Sequence, residues 1–316
     1  MKWALNHATP YGYISMSNSK LRSAQFSINE SIKQLKGYSF ASRADMRHML
    51  NRCVKDLHTL GFKLGHLKGL KPKHIYVLVD HWKQQGKNPA TIKNYMAKLR
   101  KVAVLIDKPN LVKSGNDTYN IPRRSSAPTY NKAIDINKVD FSKCTDPMIR
   151  FSLEAQALFG LRREESMKIV LSDAWRGDIL KIKPSWTKGG IGRTIEITTQ
   201  EQHQWLIKAS NEVQAGLSLI PKERSYKQHL SHYQQQTQQM GLKNCHGLRH
   251  AYAQRRYHEL TKQFDPNNKG LLCPILGGMP SKNLTGIEKA IDYRAREILS
   301  RDLGHSRISI VKIYCG

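Results

Sequence analysis

A histidine and a tyrosine nine residues apart stand near the end of the chain, in Leu303-Gly304-His305-Ser306-Arg307-Ile308-Ser309-Ile310-Val311-Lys312-Ile313-Tyr314, and only Cys315 and Gly316 follow. A phenolic oxygen in such a setting is suited to attack on a phosphodiester, giving a phosphotyrosyl ester and a free hydroxyl. Covalent capture divides one hard displacement into two easier ones and conserves the bond energy for rejoining. An un-ionised phenol is a weak nucleophile at neutral pH, so a base or a strong positive field must help it, and the leaving oxygen needs a proton. Upstream, Gly160-Leu161-Arg162-Arg163-Glu164-Glu165 and His246-Gly247-Leu248-Arg249-His250 supply guanidiniums and imidazoles. Two planar arginine forks aimed at the non-bridging oxygens would stabilise an in-line transition state without a metal or a nucleotide cofactor. His246 and Lys188 are the candidates for the base and the proton donor.

These stretches are far apart in sequence, so helices and strands must gather them. The pair Asp146-Pro147 signals a helix start, and the apolar run to Phe159 makes that helix largely buried up to Gly160. Ile179–Lys183 and Arg193–Thr198 alternate like two strands joined across Gly189-Gly190-Ile191-Gly192, with Lys188 at the lip of the turn. Lys181, Lys183 and Arg193 lie nearby, and spacing alone does not say which cation reaches a phosphate. Segments at about 200–215, 224–240, 247–261 and 286–299 read as helices.

Nearer the N-terminus, Met46, Met49, Leu50, Cys53, Leu57 and Leu60 follow helical spacing ahead of Gly61. The run Ile75–Val79 with Trp82 is ambiguous by period but allows a short helix, and Asn88-Pro89 opens another that repeats Ile92, Tyr95, Met96, Leu99 and Val102. Residues 1 to about 40 are polar and without clear caps, and are expected to form an arm or irregular lead-in. Pro122, Ser125-Ser126 and Ala127-Pro128 break any period and mark a linker.

The chain carries 52 Lys+Arg against 24 Asp+Glu, a net charge of +28, which seeks a polyanion. Between Gly61 and Lys108 there are eleven Lys/Arg and only two acids, Asp80 and Asp107, more one-sided than a merely solvated helix face requires. Lys83, Lys87, Lys93, Lys98, Arg100 and Lys101 are the candidate DNA contacts of this bundle. No apolar run approaches the roughly 18 residues of a spanning helix, and no signal peptide follows Met1, so a soluble, intracellular protein is expected. The five scattered cysteines form no Cys-x-x-Cys pair, which suits a reducing compartment and offers no metal site.

Each motif has a plainer reading by itself. Arg162 beside Glu164-Glu165 is compatible with a surface ion pair, and Tyr314 with a core anchor through its ring. His246 and His250 mimic one face of a zinc helix, but Gly247 stands where that motif needs a glutamate. Five such stretches in one order are a poor fit to coincidence.

Together they resemble the tyrosine recombinases, the phage-integrase family, and are similar in particular to integrases of genomic islands and other mobile elements. The motifs cover about 130–316; over about 40–120 the likeness is one of rhythm. The resemblance implies a mainly α fold with a small antiparallel β-sheet: an arm at 1–40, a helical core-binding DNA domain at 41–120, a linker at 121–138, and a mixed α/β catalytic domain at 139–316 with an insert at about 262–300. It implies Arg162 and Arg249 on the non-bridging oxygens, His305 supporting them, Lys188 as proton donor, His246 as base and Tyr314 as nucleophile, with Glu165 and His250 as supporting framework. The implied activity is site-specific cleavage and rejoining of DNA through a 3′-phosphotyrosyl intermediate, integrating or excising a mobile element. The alternatives are an idle DNA-binding protein on the same scaffold and a type IB-like topoisomerase.

The partners implied are duplex DNA at attachment or core sites, further copies of the chain in a synaptic tetramer, and a DNA-bending accessory factor. No membrane, metal or cofactor is expected, and the location is the bacterial cytoplasm with the nucleoid. Two departures stand out: the 59-residue gap from His246 to His305, and the short end after Tyr314. The insert or the first 40 residues is therefore expected to make the contact between subunits.

Overall fold

The structure, a computed structural model, describes residues 14–123 and 128–316. It divides into two compact units at residues 124 and 125.

The first unit is a bundle of α1 (Ile14–Lys33), α2 (Phe40–Thr59), α3 (Pro72–Gln84) and α4 (Pro89–Leu105). Local signals begin the later helices: Ser39 Oγ accepts from the Ser42 amide at 3.2 Å, and Asn88 accepts from the Ala90 amide at 2.8 Å with Pro89 in the first turn. Trp82 is fully buried, and its indole N–H donates to Asp56 at 2.9 Å, tying α3 to α2 through the core of Leu50, Leu57, Leu78, Met96 and Leu99. The segment expected as an irregular lead-in is corrected here, because residues 14–33 are helical. Ala24, Ile28 and Ile32 form a sparse apolar stripe buried in the same core, and Ser27 Oγ accepts from the Leu67 amide at 2.8 Å. The helix is held by tertiary burial of a narrow face, which a mostly polar sequence hides. Residues 1–13 of that segment lie outside the described residues, as do 124–127 of the expected linker.

The second unit begins its regular structure with α5 (Pro147–Phe159), capped by Asp146, whose carboxylate accepts from the amides of Met148 at 2.9 Å and Ile149 at 3.3 Å. Two short helices follow, α6 (Arg163–Lys168) and α7 (Leu171–Ala174), and then a sheet of β1 (Trp175–Arg176), β2 (Ile179–Ile182) and β3 (Arg193–Glu196). Its order is β1-β2-β3, antiparallel throughout, with Leu180 opposite Ile195 and Lys181 opposite Thr194. Sequence alternation shows β2 and β3; β1 has only two residues, too few for a period.

The remaining helices are α8 (Gln200–Glu212), α9 (Tyr226–Gln239), α10 (His246–Phe264), α11 (Gly286–Asp302) and α12 (Lys312–Cys315). Capping boxes at Thr199/Gln202 and Ser225/Gln228 start α8 and α9. α10 is central, packing against α5, α11 and α12. The expected insert therefore includes a structural helix: Ala295 and Leu299 of α11 share a core with Tyr252, Tyr257 and Tyr314. No described helix is long and apolar enough to cross a membrane.

Two glycines let backbone approach the site. Gly160 ends α5 in the left-handed region (φ 60°), and a Cβ there would lie 2.3 Å from the Tyr252 ring. Gly247 packs against residues 132–134, where a Cβ would lie 2.5 Å from both the Lys132 carbonyl and Ile134, and its own carbonyl accepts from the Ile134 amide at 3.0 Å. Gly160→Ala should lower stability by about 2–4 kcal/mol, from left-handed strain and overpacking together, read as a shift of the urea midpoint. An unchanged midpoint would contradict the close approach.

Candidate active site

The tyrosine near the chain's end is brought to the N-terminal turn of α10. The Tyr314 hydroxyl accepts from Arg249 Nε at 3.3 Å and lies 3.3 Å from His305 Nε2, which is itself 3.4 Å from Arg249 Nη2. The phenol ring sits 4.7 Å from the His250 ring and 6.0 Å from the His246 ring, centroid to centroid, with the Arg249 guanidinium 5.7 Å from its centre. Two backbone anchors hold this end of the chain: Gln254 Nε2 donates to the Tyr314 carbonyl at 3.1 Å, and Arg296 Nη1 to the Gly316 carbonyl at 3.2 Å.

The end of α11 organises the cations. The carbonyls of three consecutive residues each accept from a different guanidinium: Asp302 from Arg193 Nε at 2.6 Å, Leu303 from Arg249 Nη2, and Gly304 from Arg162 Nη2 at 3.4 Å. Carbonyls at a helix C-terminus lack partners within the helix and carry its negative pole, so cations are favoured there. Arg249 also donates Nη1 to the Gly160 carbonyl, which closes α5 onto α10. Its side chain is fully buried, and burial lowers the guanidinium to about 10, still cationic at neutral pH.

Glu165, 1% exposed, is the counter-ion of this cage. Its carboxylate accepts from Arg162 Nη1 at 2.7 Å, from the Arg162 amide at 2.8 Å and from Arg193 Nη2 at 2.7 Å. Burial opposes its ionisation, but the hydrogen bond and charge of Arg193, followed by the contacts from Arg162, overcome that and bring it to about 2.

A cavity of about 410 Å³ opens beside the cage, lined by Arg162, Glu165, Lys188 and His246 and by Tyr233 and Thr237 of α9. The neighbours of Lys188 are placed differently. Lys183 pairs with Asp173 at 2.6 Å, Arg193 is bound to Glu165, and Lys181 is exposed on β2. Of the three hairpin lysines, Lys188 is the one that lines this cavity.

His246, His250 and His305 are each lowered to about 4, first by burial; Arg249 is the next cause for His246 and His305, and His246 for His250. All three are neutral at pH 7. Folded values below the ordinary 6.5 mean that the unfolded chain binds more protons as pH falls through that range. Stability should therefore be full above about pH 6.5 and decline toward pH 4, with the Glu165 contribution lost further down, between about 4.5 and 2. Thermal unfolding at pH 7, 6, 5 and 4.5 checks this, and His250→Asn should flatten the slope. A melting temperature constant over that range would contradict the histidine environments.

Sequence reasoning missed Arg193 as a framework residue and Gln254 and Arg296 as anchors. Arg193 stands in the hairpin among other cations, and nothing local marks its partner, Glu165, 28 residues away. The DNA contacts expected in the first unit are mostly half-buried, and several have partners there. Lys83 donates to the Tyr119 carbonyl at 2.7 Å, Lys98 pairs with Asp45 at 2.7 Å, and Arg100 donates to the Lys113 carbonyl and the Asn116 side chain, each at 2.9 Å. Lys101 lies over the Tyr38 ring at 5.1 Å, while Lys87 and Lys93 are half-buried.

Comparison with family models matches residues 27–111 to "Phage integrase, N-terminal" and residues 120–255 to "Integrase". Arg162, Glu165, Lys188, His246, Arg249 and His250 fall inside the second match, and His305 and Tyr314 follow it. Among solved structures, the Tn1549 transposon integrase in complex with a circular intermediate DNA is similar at 9% identity and a TM-score of 0.53, covering 94% of this chain and 95% of that one. A lambda integrase dimer on a core site aligns at 12% identity and a TM-score of 0.56, covering 92% and 94%. A lambda integrase tetramer on a Holliday junction aligns at 15% and 0.50, covering 90% and 85%. At these identities the likeness is one of fold. No curated protein sequence matches the chain.

Proposed function

The chain belongs to the phage integrase family, the tyrosine recombinases, and on that premise we propose that it is a site-specific DNA recombinase of a mobile element, with Tyr314 as its nucleophile. The observation that carries this reading is the Tyr314 hydroxyl at 3.3 Å from both Arg249 Nε and His305 Nε2, within a buried cationic cage.

In the proposed reaction, the Tyr314 oxygen bonds to the scissile phosphorus and the bond from phosphorus to the 5′-oxygen breaks. This leaves a 3′-phosphotyrosyl link and a 5′-hydroxyl. Arg162 and Arg249 take the charge that develops on the non-bridging oxygens, and His305 supports them. Lys188 gives its proton to the leaving oxygen, and His246 receives the phenolic proton. A phosphodiester entering the cage would offset the arginine field that now disfavours protonated histidine, so the base would strengthen when substrate is bound. Attack by a 5′-hydroxyl from another duplex reverses the step and exchanges strands. Glu165 and His250 hold the frame.

The Tn1549 and lambda integrases are described on DNA, and the latter as a tetramer on a Holliday junction. This supports duplex DNA and further copies of the chain as partners here, with strand exchange in a tetramer. A DNA-bending accessory factor and a place in the bacterial nucleoid complete the proposal.

The test is a duplex nicked close to the cleavage site, whose short end diffuses away after attack and traps the enzyme. A covalent protein–DNA band that survives denaturation is expected. Binding without that band would favour the idle DNA-binding reading, and supercoil relaxation without strand exchange would favour a topoisomerase.

A further inference from the structure

A proton donor must be held in one place, yet Lys188 is exposed on its loop, and among the described residues its side chain has no partner that would hold it. The loop closes tightly at its base, where a Cβ on Gly192 would lie 2.8 Å from the Ile182 carbonyl and 3.0 Å from Pro184. Arg193, the first residue of β3, follows at once. Over residues 187–193 the Thr187 hydroxyl donates locally to the Pro184 carbonyl at 3.0 Å, whereas the Arg193 side chain reaches out of the hairpin to two other elements. Its Nε donates to the Asp302 carbonyl at 2.6 Å, and its Nη1 and Nη2 grip Glu165 at 3.2 and 2.7 Å. This side chain is 6% exposed, and a bidentate fork fixes angle as well as distance. The far end of β3 is tied to the same helix end: Glu196 accepts from Arg256 Nη2 at 3.2 Å, and Arg256 Nε donates to the Asp302 carboxylate at 3.2 Å.

Removing Arg193 would leave Arg162 with both of its contacts to Glu165, through its amide and its Nη1, but would release the base of the Lys188 loop from the cage. We propose that Arg193 is a positioning residue for the proton donor. By bolting the loop to Glu165 and to the end of α11, it keeps Lys188 within reach of the leaving oxygen while Arg162 and Arg249 hold the phosphate. The step it serves is cleavage of the bond from phosphorus to the 5′-oxygen, in which the Lys188 ammonium gives one proton to that oxygen as the Tyr314 oxygen bonds to phosphorus. Small displacements of a donor are costly, because proton transfer needs hydrogen-bond contact with the departing atom. This inference rests on the recombinase reading and adds to it a residue outside the reactive set.

The experiment measures single-turnover adduct formation by the full-length chain on two nicked duplexes, one with oxygen and one with sulfur as the 5′-bridging atom of the scissile link. A thiol ionises at about pH 8.5, far below an alcohol, so sulfur leaves as a thiolate without a proton donor. Lys188→Ala is the reference for a lost donor and Arg162→Ala for a lost fork. Arg193→Lys and Arg193→Gln should each react about tenfold to a hundredfold more slowly than wild type on the oxygen duplex, and within about threefold of wild type on the sulfur one, as Lys188→Ala does. Arg162→Ala should be slow on both. Arg193→Lys keeps a charge beside Glu165 without the fork, so it should melt closer to wild type and carries the comparison if Arg193→Gln unfolds. Adding Arg193→Lys to Lys188→Ala should slow the oxygen reaction no further, because both changes act through one ammonium. Equal slowing on the two duplexes, an additive loss in the double variant, or an undiminished oxygen rate in the Arg193 or Lys188 variants would each overturn the positioning role. A wild-type chain that forms no adduct on either duplex overturns the recombinase reading with it.

Discussion

Tyr314→Phe should abolish the covalent protein–DNA adduct on the nicked duplex while leaving non-covalent binding in a mobility-shift assay within about threefold, since the affinity of such proteins is carried by many phosphate contacts. The ring is the packed part of this side chain, 5% exposed, and phenylalanine keeps its place against His250 and Arg249. What is lost is one oxygen and its contacts with Arg249 Nε and His305 Nε2. Leaving the Arg249 donor unmet should cost about 1–2 kcal/mol of stability, too little to unfold a domain of this size. Tyr233 supplies an internal control, because it lines the neighbouring cavity with its hydroxyl bound to Gln156 at 3.0 Å. Tyr233→Phe should retain the adduct. An adduct that persists in Tyr314→Phe would place the nucleophile elsewhere.

The second large effect concerns the two guanidiniums. Arg162→Ala and Arg249→Ala should each slow adduct formation by at least a hundredfold, about 3 kcal/mol of transition-state stabilisation. They should differ in stability. Arg162 is 28% exposed, and although its partner Glu165 is buried, that carboxylate keeps Arg193 when Arg162 is removed, so the loss leaves an incomplete rather than an empty set of partners. Arg249 is fully buried and joins the Gly160 and Leu303 carbonyls, and each acceptor left unmet costs about 1–3 kcal/mol. Arg249→Ala should therefore lower the melting temperature much further than Arg162→Ala, and Arg249→Lys should restore charge without restoring the fork. Single-turnover rates paired with thermal melts separate the two effects. A loss of rate below tenfold in either alanine variant would remove that residue from the cage.

Much of the second unit could be read locally, because its starts and stops use short-range chemistry. Asp146-Pro147, Thr199 with Gln202, and Ser225 with Gln228 each satisfy helix N–H groups within three residues, and Gly160 ends α5 by taking a left-handed conformation. Alternation in Ile179–Ile182 is likewise visible from the chain, as Leu180 and Ile182 are buried. By contrast, α1 is kept helical by Ala24, Ile28 and Ile32 packing into the bundle, a stripe too thin to stand out among serines and lysines. In the stretch between His246 and His305, composition marked an insertion but gave no sign that the carbonyls ending α11 would receive three arginines.

What the sequence by itself determined was the set of reactive groups and their order: a tyrosine after a histidine, two arginines, a lysine at a turn, and an acid three residues beyond Arg162. Side-chain type is a local property, and the chemistry of a phenol or a guanidinium follows from it. The tertiary structure alone decided which groups meet. It placed Tyr314 65 positions beyond Arg249 yet 3.3 Å away, gave Glu165 to Arg193 as well as Arg162, and aimed the end of α11 at the cage. Hydrogen bonds and ion pairs act over a few ångströms in space, and separation along a chain carries almost no information about that distance once the chain is folded.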